Sequence, residues 1–86
     1  MDYKRIIKKA LDLTETMPPV HLHDNNVSMN ARVNYTVFAL NVVKGKINFA
    51  TLAELKNNIE KIYRKSLYDI SIQADTEDSF IITITF

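Results

Sequence analysis

The sequence predicts a two-layer α+β domain over residues 1–86: an antiparallel sheet of roughly 4–5 strands with two helices on one face, in the order α-β-β-β-α-β-β. Three patterns carry this expectation. Two segments repeat apolar residues at three- and four-residue spacing, the signature of amphipathic helices. The stretch from Ile70 to Phe86 alternates apolar and polar residues on both sides of an Asp75–Asp78 turn, as a hairpin with one dry face does. Between the helical segments Val27–Asn48 also alternates, and its apolar parity changes partway.

The first helix is expected over Tyr3–Thr16. Asp2 is its N-cap, with a carboxylate placed to accept from free amides of the first turn. Tyr3, Ile6, Ile7, Ala10, Leu11, Thr14 and Met17 form one stripe. Pro18-Pro19 stops the helix, because proline disfavours helical geometry in the residue before it.

Val20–His23 reads as a short strand and Asp24-Asn25-Asn26 as a turn, since Asx side chains bond the nearby backbone. From Val27 the apolar residues are odd-numbered (Val27, Met29, Ala31, Val33, Tyr35, Val37). From Phe38 they are even-numbered (Phe38, Leu40, Val42). A change of parity moves the buried set to the other side of a strand. It implies a bulge near Val37-Phe38 or a strand covered on both faces. Lys44-Gly45 reads as a two-residue hairpin turn that sets Val42 against Ile47 and Leu40 against Phe49.

Thr51 with Glu54 reads as a capping box opening a second helix, Leu52–Lys65, striped by Leu52, Leu55, Ile59, Ile62 and Tyr63. Glu60 and Arg64 stand at i,i+4 spacing on its other side. In the final hairpin Ile70, Ile72, Ala74, Phe80, Ile82, Ile84 and Phe86 face the helices. Asp69, Ser71, Gln73, Ser79, Ile81, Thr83 and Thr85 form the wet face.

Composition narrows the function classes. The chain has no cysteine, a single glycine, and a net charge of +1 from 11 basic and 10 acidic residues. Disulfide and thiolate-metal scaffolds are therefore excluded, and a glycine-rich phosphate loop cannot be built. No apolar run approaches the ~20 residues of a membrane span, and the first residues lack a signal-peptide apolar region, so no membrane association and a cytoplasmic location are expected. Ile, Lys and Asn are abundant and have AT-rich codons, which suggests a low-GC genome such as that of a phage or mobile element.

His21 and His23 share a strand face, and Asp24 follows. Zinc needs at least a third protein ligand held in place, and no distant Cys or His supplies one, so solvent-facing histidines and no metal site are expected. Ser28, Ser66, Ser71 and Ser79 are scattered, none on a nucleophile elbow, and Asp75, Glu77 and Asp78 read as turn residues. The expectation is a protein without catalytic residues or cofactors.

What remains is charge and exposed apolar surface. Lys4, Arg5, Lys8 and Lys9 open the first helix as like-charge i,i+4 pairs and oppose its dipole. Each pair costs ~0.2–0.5 kcal/mol in an isolated helix. Lys56, Lys61, Arg64 and Lys65 extend the patch if the helices lie side by side. A sheet covered on one side only would leave Val33, Tyr35, Val37 and Ile81 on the open face, where a second copy of the chain would cover them. These residues suggest a small non-enzymatic binding protein that occludes a protein partner's surface, with a homodimer as one form of it. The alternative is a nucleic-acid-binding module that uses the basic faces of both helices.

Overall fold

A computed structural model of the chain describes residues 2–15, 17–18, 20–22, 26–29, 34–43 and 47–86. It is an α+β structure of helices over an antiparallel sheet. Helix α1 (Tyr3–Leu13) starts where its cap dictates: Asp2 Oδ1 accepts the Arg5 N–H at 3.1 Å. Ile6, Ile7 and Ala10, the centre of the expected stripe, are buried. The helix stops short of Thr16, and Thr14 accounts for the early end. Its backbone is extended, its N–H donates to the Leu11 carbonyl at 3.2 Å, and its hydroxyl donates to the Ala10 carbonyl at 2.7 Å. A hydroxyl that takes a carbonyl of the preceding turn competes with the next helical bond.

The strand expected to run unbroken from Val27 to Val43 is two strands. β2 (Asn26–Met29) and β3 (Asn34–Val43) pair antiparallel, with Val27 opposite Thr36 and Met29 opposite Asn34. Partnered residues share a sheet face, so Val27 and Met29 lie on the side of Thr36, Phe38, Leu40 and Val42. Val37 stands in the same unbroken strand as Phe38, Leu40 and Val42, so β3 carries apolar residues at positions of both parities and therefore on both of its faces. There is no bulge at Val37-Phe38 against β5 (Ser79–Thr85): that register is unbroken from Val37–Thr85 to Val43–Ser79. β1 (Val20–Leu22) pairs further along the same edge of β3, with Leu22 opposite Leu40. Between Leu22 and Asn26 the chain takes four steps while its partner takes three, from Leu40 to Val37, so the register shifts by one along that edge.

The hairpin expected at Lys44-Gly45 lies outside the described residues, but its second strand does not form. Helix α2 (Phe49–Tyr63) begins there instead. The sequence reading passed over Asn48, which is at least as good an N-cap as Thr51. Its Oδ1 accepts the Thr51 N–H at 2.8 Å and the Thr51 hydroxyl at 3.1 Å. Thr51 therefore sits inside the first turn rather than ahead of it. At the other end the helix closes two residues earlier than expected, with Arg64 in the left-handed region (φ 64) and its N–H bonded to the Glu60 carbonyl at 2.7 Å. That geometry takes Arg64 off the helical i,i+4 row. Glu60 instead accepts the Leu67 N–H through Oε2 at 2.7 Å and lies 4.0 Å from Lys56 Nζ through Oε1.

β4 (Asp69–Thr76) and β5 form the expected final hairpin, with a register irregularity between Ala74 and Thr76. The turn is fixed by side chains: the Thr76 and Ser79 hydroxyls are 2.7 Å apart, and the Asp78 N–H donates to Thr76 Oγ1. β5 is central, flanked by β3 and β4, and β1 and β2 occupy the far edge of β3.

The core forms where one sheet face meets the helices. Phe38, Leu40 and Val42 from β3 and Ile82 and Ile84 from β5 pack with Ile7, Leu55 and Ile59. Each such side chain contributes about 1.5–3 kcal/mol by leaving water. The other face is drier than expected along β5: Ser79 and Thr85 are buried, and Ile81 and Thr83 are half-buried. A central strand is shielded by neighbours on both sides even where no layer covers it. On the edge strand Asp69, Ser71 and Gln73 are exposed.

Candidate interaction surface

The two helices run antiparallel, and their contacts show how. At the start of α1 the Tyr3 ring meets the Tyr63 ring edge-on at 5.8 Å. At its end Thr14 Oγ1 accepts from Asn58 Nδ2 at 3.0 Å. The cationic start of α1 therefore lies against the cationic end of α2. Lys4 and Arg5 share this end of the helix layer with Lys61, Arg64 and Lys65, and Lys8 and Lys9 follow along α1. All are exposed except Lys4, which is half-buried. Lys56 stands apart, in the middle of α2 beside Glu60. The arrangement also relieves the local cost that the sequence suggests. The carbonyl end of the α2 dipole sits beside the amide end of α1, and cations are favoured at the former.

An aromatic cluster fastens this end to the sheet. Phe86 stacks on Tyr3 at 4.4 Å and meets Tyr63 and Phe38 edge-on at 5.1 and 5.9 Å. Lys65 Nζ lies 5.8 Å from the centre of the Tyr63 ring. The Tyr3 phenol is held above the ordinary tyrosine range. The first cause is its hydrogen bond with the Tyr63 side chain, then the charge of Tyr63 and burial, with Lys65 opposing.

The residues expected on the open sheet face are only partly gathered. Val33 lies outside the described residues. Tyr35 occupies the β3 position opposite Ser28. Val37 and Ile81 are half-buried on the same face but at opposite ends of it: Val37 faces Thr85, whereas Ile81 lies between Asn41 and Gln73. Asn41 Oδ1 is buried on this face with no hydrogen-bond partner among the described residues.

His21 falls in β1 opposite Asn41, and His23 lies outside the described residues. Among the described residues no cluster of three or more His, Cys, Asp or Glu side chains is placed to hold a metal ion, and no helix is long and apolar enough to cross a membrane.

A feature that the sequence reading missed is an apolar groove of about 430 Å³ where the start of α2 meets the sheet, lined by Ile47, Phe49, Leu52, Ile72, Ala74 and Phe80. Phe49 is 86% exposed. The misplaced strand at 47–49 concealed it. A phenylalanine on a strand facing Leu40 is core, whereas at the first position of a helix it stands in water.

Comparison with protein-family models, with curated proteins and with solved structures gives no match for this chain.

Proposed function

We propose that this chain is a non-enzymatic binding protein that covers an acidic surface of a protein partner with the cationic end of its helix layer. The observation that carries the reading is the antiparallel contact of Tyr3 with Tyr63, which brings Lys4 and Arg5 to the end of α2 that bears Lys61, Arg64 and Lys65. Charges so gathered steer association and fix which surfaces are accepted. A cysteine-free chain suits a reducing, cytoplasmic setting, and its Ile-, Lys- and Asn-rich composition suits an AT-rich phage or mobile-element genome.

The same cations support a second reading, a phosphate backbone as partner. Two observations favour protein. The net charge is only +1. The rings at this end, Tyr3, Tyr63 and Phe86, are packed on one another and do not offer the free stacking platform on which single strands are bound.

Capture from the encoding organism's extract, with and without nuclease, tests both. The protein reading expects an acidic partner retained after nuclease treatment and lost with Arg5→Glu combined with Lys61→Glu. Association with DNA or RNA oligonucleotides, weakening roughly tenfold or more between about 50 and 200 mM salt, would replace it with the phosphate reading.

A further inference from the structure

Two features beyond the cationic surface lie together along β4, the strand that follows Arg64 and Lys65 in the chain. Among the described residues β4 is the outermost strand of its side of the sheet and pairs with β5 alone. Its free edge presents backbone donors and acceptors, and neither lysine nor proline, the usual guards of such an edge, occurs in Asp69–Thr76. Beside that edge, on the helix face, lies the apolar groove with Phe49. Tyr68, immediately ahead of β4, is 66% exposed. Two large exposed aromatic rings flanking an open strand edge form a surface suited to strand addition.

The geometry points to a second copy of this chain as the occupant: its β4 pairs antiparallel with this β4 about a dyad at Ser71, and Tyr68 of each copy covers the Phe49 groove of the other. Faces, charges and strand length select the register: a dyad at Ile70 would pair only Asp69–Ser71 of β4, and one at Ala74 would fall on the register irregularity. Directly opposed residues share a sheet face, so a dyad that keeps both helix layers on one side must pass through a residue rather than between two. A dyad at Ile72 sets Asp69 of one copy against Asp75 of the other, and a dyad at Gln73 sets it against Glu77, both like-charge pairs.

A dyad at Ser71 removes the conflict. Asp69 then faces Gln73, Ile70 faces Ile72, and Tyr68 faces Ala74 in the groove wall. The cationic Arg64–Lys65 end of each copy is brought toward the acidic Glu77–Asp78 turn of its mate. The span from Tyr68 to Ala74 also stops where the register irregularity after Ala74 ends the regular edge. The contact is isologous and closes on itself, as a two-fold dimer requires.

Pure protein suffices for the test. Sedimentation and light scattering should show a dimer whose dissociation constant rises at least tenfold in Phe49→Ser and in Tyr68→Ser, with circular dichroism unchanged. Lys65→Glu and Glu77→Lys should each weaken self-association, and mixing the two variants should restore a heterodimer in which both charge pairs are attractive. The chain has no cysteine, so Ser71→Cys should oxidise to a covalent dimer faster than Asp69→Cys or Gln73→Cys. A monomer at all accessible concentrations overturns the proposal. So does fastest cross-linking at another position, which moves the dyad. A dimer untouched by Phe49→Ser but dissociated by Val37→Asp or Ile81→Asp overturns it in favour of the open sheet face. A monomer that binds a different protein through the Phe49 groove overturns it in favour of a foreign strand.

Discussion

Asn58 of α2 donates through Nδ2 to Thr14 Oγ1 at 3.0 Å, and the Thr14 hydroxyl, on a residue only 3% exposed, donates a hydrogen bond to the Ala10 carbonyl at 2.7 Å. One hydroxyl thus ends α1 and ties it to α2. Thr14→Val keeps the volume but leaves Asn58 and the Ala10 carbonyl each short of a partner. The expected cost is about 1–3 kcal/mol, measured by urea unfolding, and Thr14→Ser should recover most of it because the hydroxyl is the group that matters.

Thr14 also shows what sequence periodicity conveys. Its place in the stripe of Ile6, Ile7 and Ala10 was legible, because burial of one helix face imposes that spacing. That it would end the helix was not, since a threonine hydroxyl can bond the preceding turn within a continuing helix, and its tie to α2 is to a residue 44 positions away. The alternation of Ile70–Phe86 gave the final hairpin correctly because both strands bury one face against the helices. Val27–Val43 misled because two paired strands and a single long strand share the same period of two. Only the pairing of Met29 with Asn34 distinguishes them. For the surfaces, the eight cations were legible as charges, but the gathering of Lys4 and Arg5 with Lys61, Arg64 and Lys65, and the separation of Lys56 from them, depend on helix direction. The Phe49 groove was hidden by the wrong element at 47–49.

Asn48, not Thr51, sets the start of α2, because its side chain accepts the Thr51 N–H and hydroxyl. Asn48→Ala should destabilise the fold by about 1 kcal/mol, within a range of about 0.5–2, whereas Asn48→Asp should be close to neutral because the acceptor oxygen is retained. Thermal or urea unfolding of the two variants side by side checks this. Equal losses would mean that the acceptor is not what Asn48 supplies.

Arg64 is the only non-glycine residue with positive φ among the described residues. The left-handed region costs an ordinary residue roughly 1–2 kcal/mol, and glycine at a helix end escapes that cost at the expense of a more flexible unfolded chain, worth about 0.4–1 kcal/mol. Arg64→Gly should therefore stabilise the protein by up to about 1 kcal/mol. Under the proposed function it should at the same time weaken partner binding, since it removes one cation from the surface. A variant that is both more stable and binds less tightly would separate the two roles in one measurement.

Tyr3 supplies a pH dependence whose sign is fixed by its surroundings. The hydrogen bond with Tyr63 favours its protonated form, the charge of Tyr63 and burial act in the same direction, and Lys65 opposes them. The folded protein thus holds this proton more tightly than the unfolded chain, whose tyrosines titrate near 10.0. The linkage contributes stability that is fully present below that pH and is lost as pH rises through the raised value in the fold. Since Tyr3 stacks on Phe86 and contacts Tyr63, its ionisation also places charge in the contact that joins α1, α2 and β5. Unfolding midpoints followed upward from pH 9 should fall more steeply in the wild-type chain than in Tyr3→Phe. In a spectroscopic titration of tyrosinate, Tyr3→Phe should remove an increment that titrates above the ordinary tyrosine value, and Tyr63→Phe should move that increment to lower pH. An unchanged titration in Tyr63→Phe would show that the hydrogen bond is not what raises Tyr3.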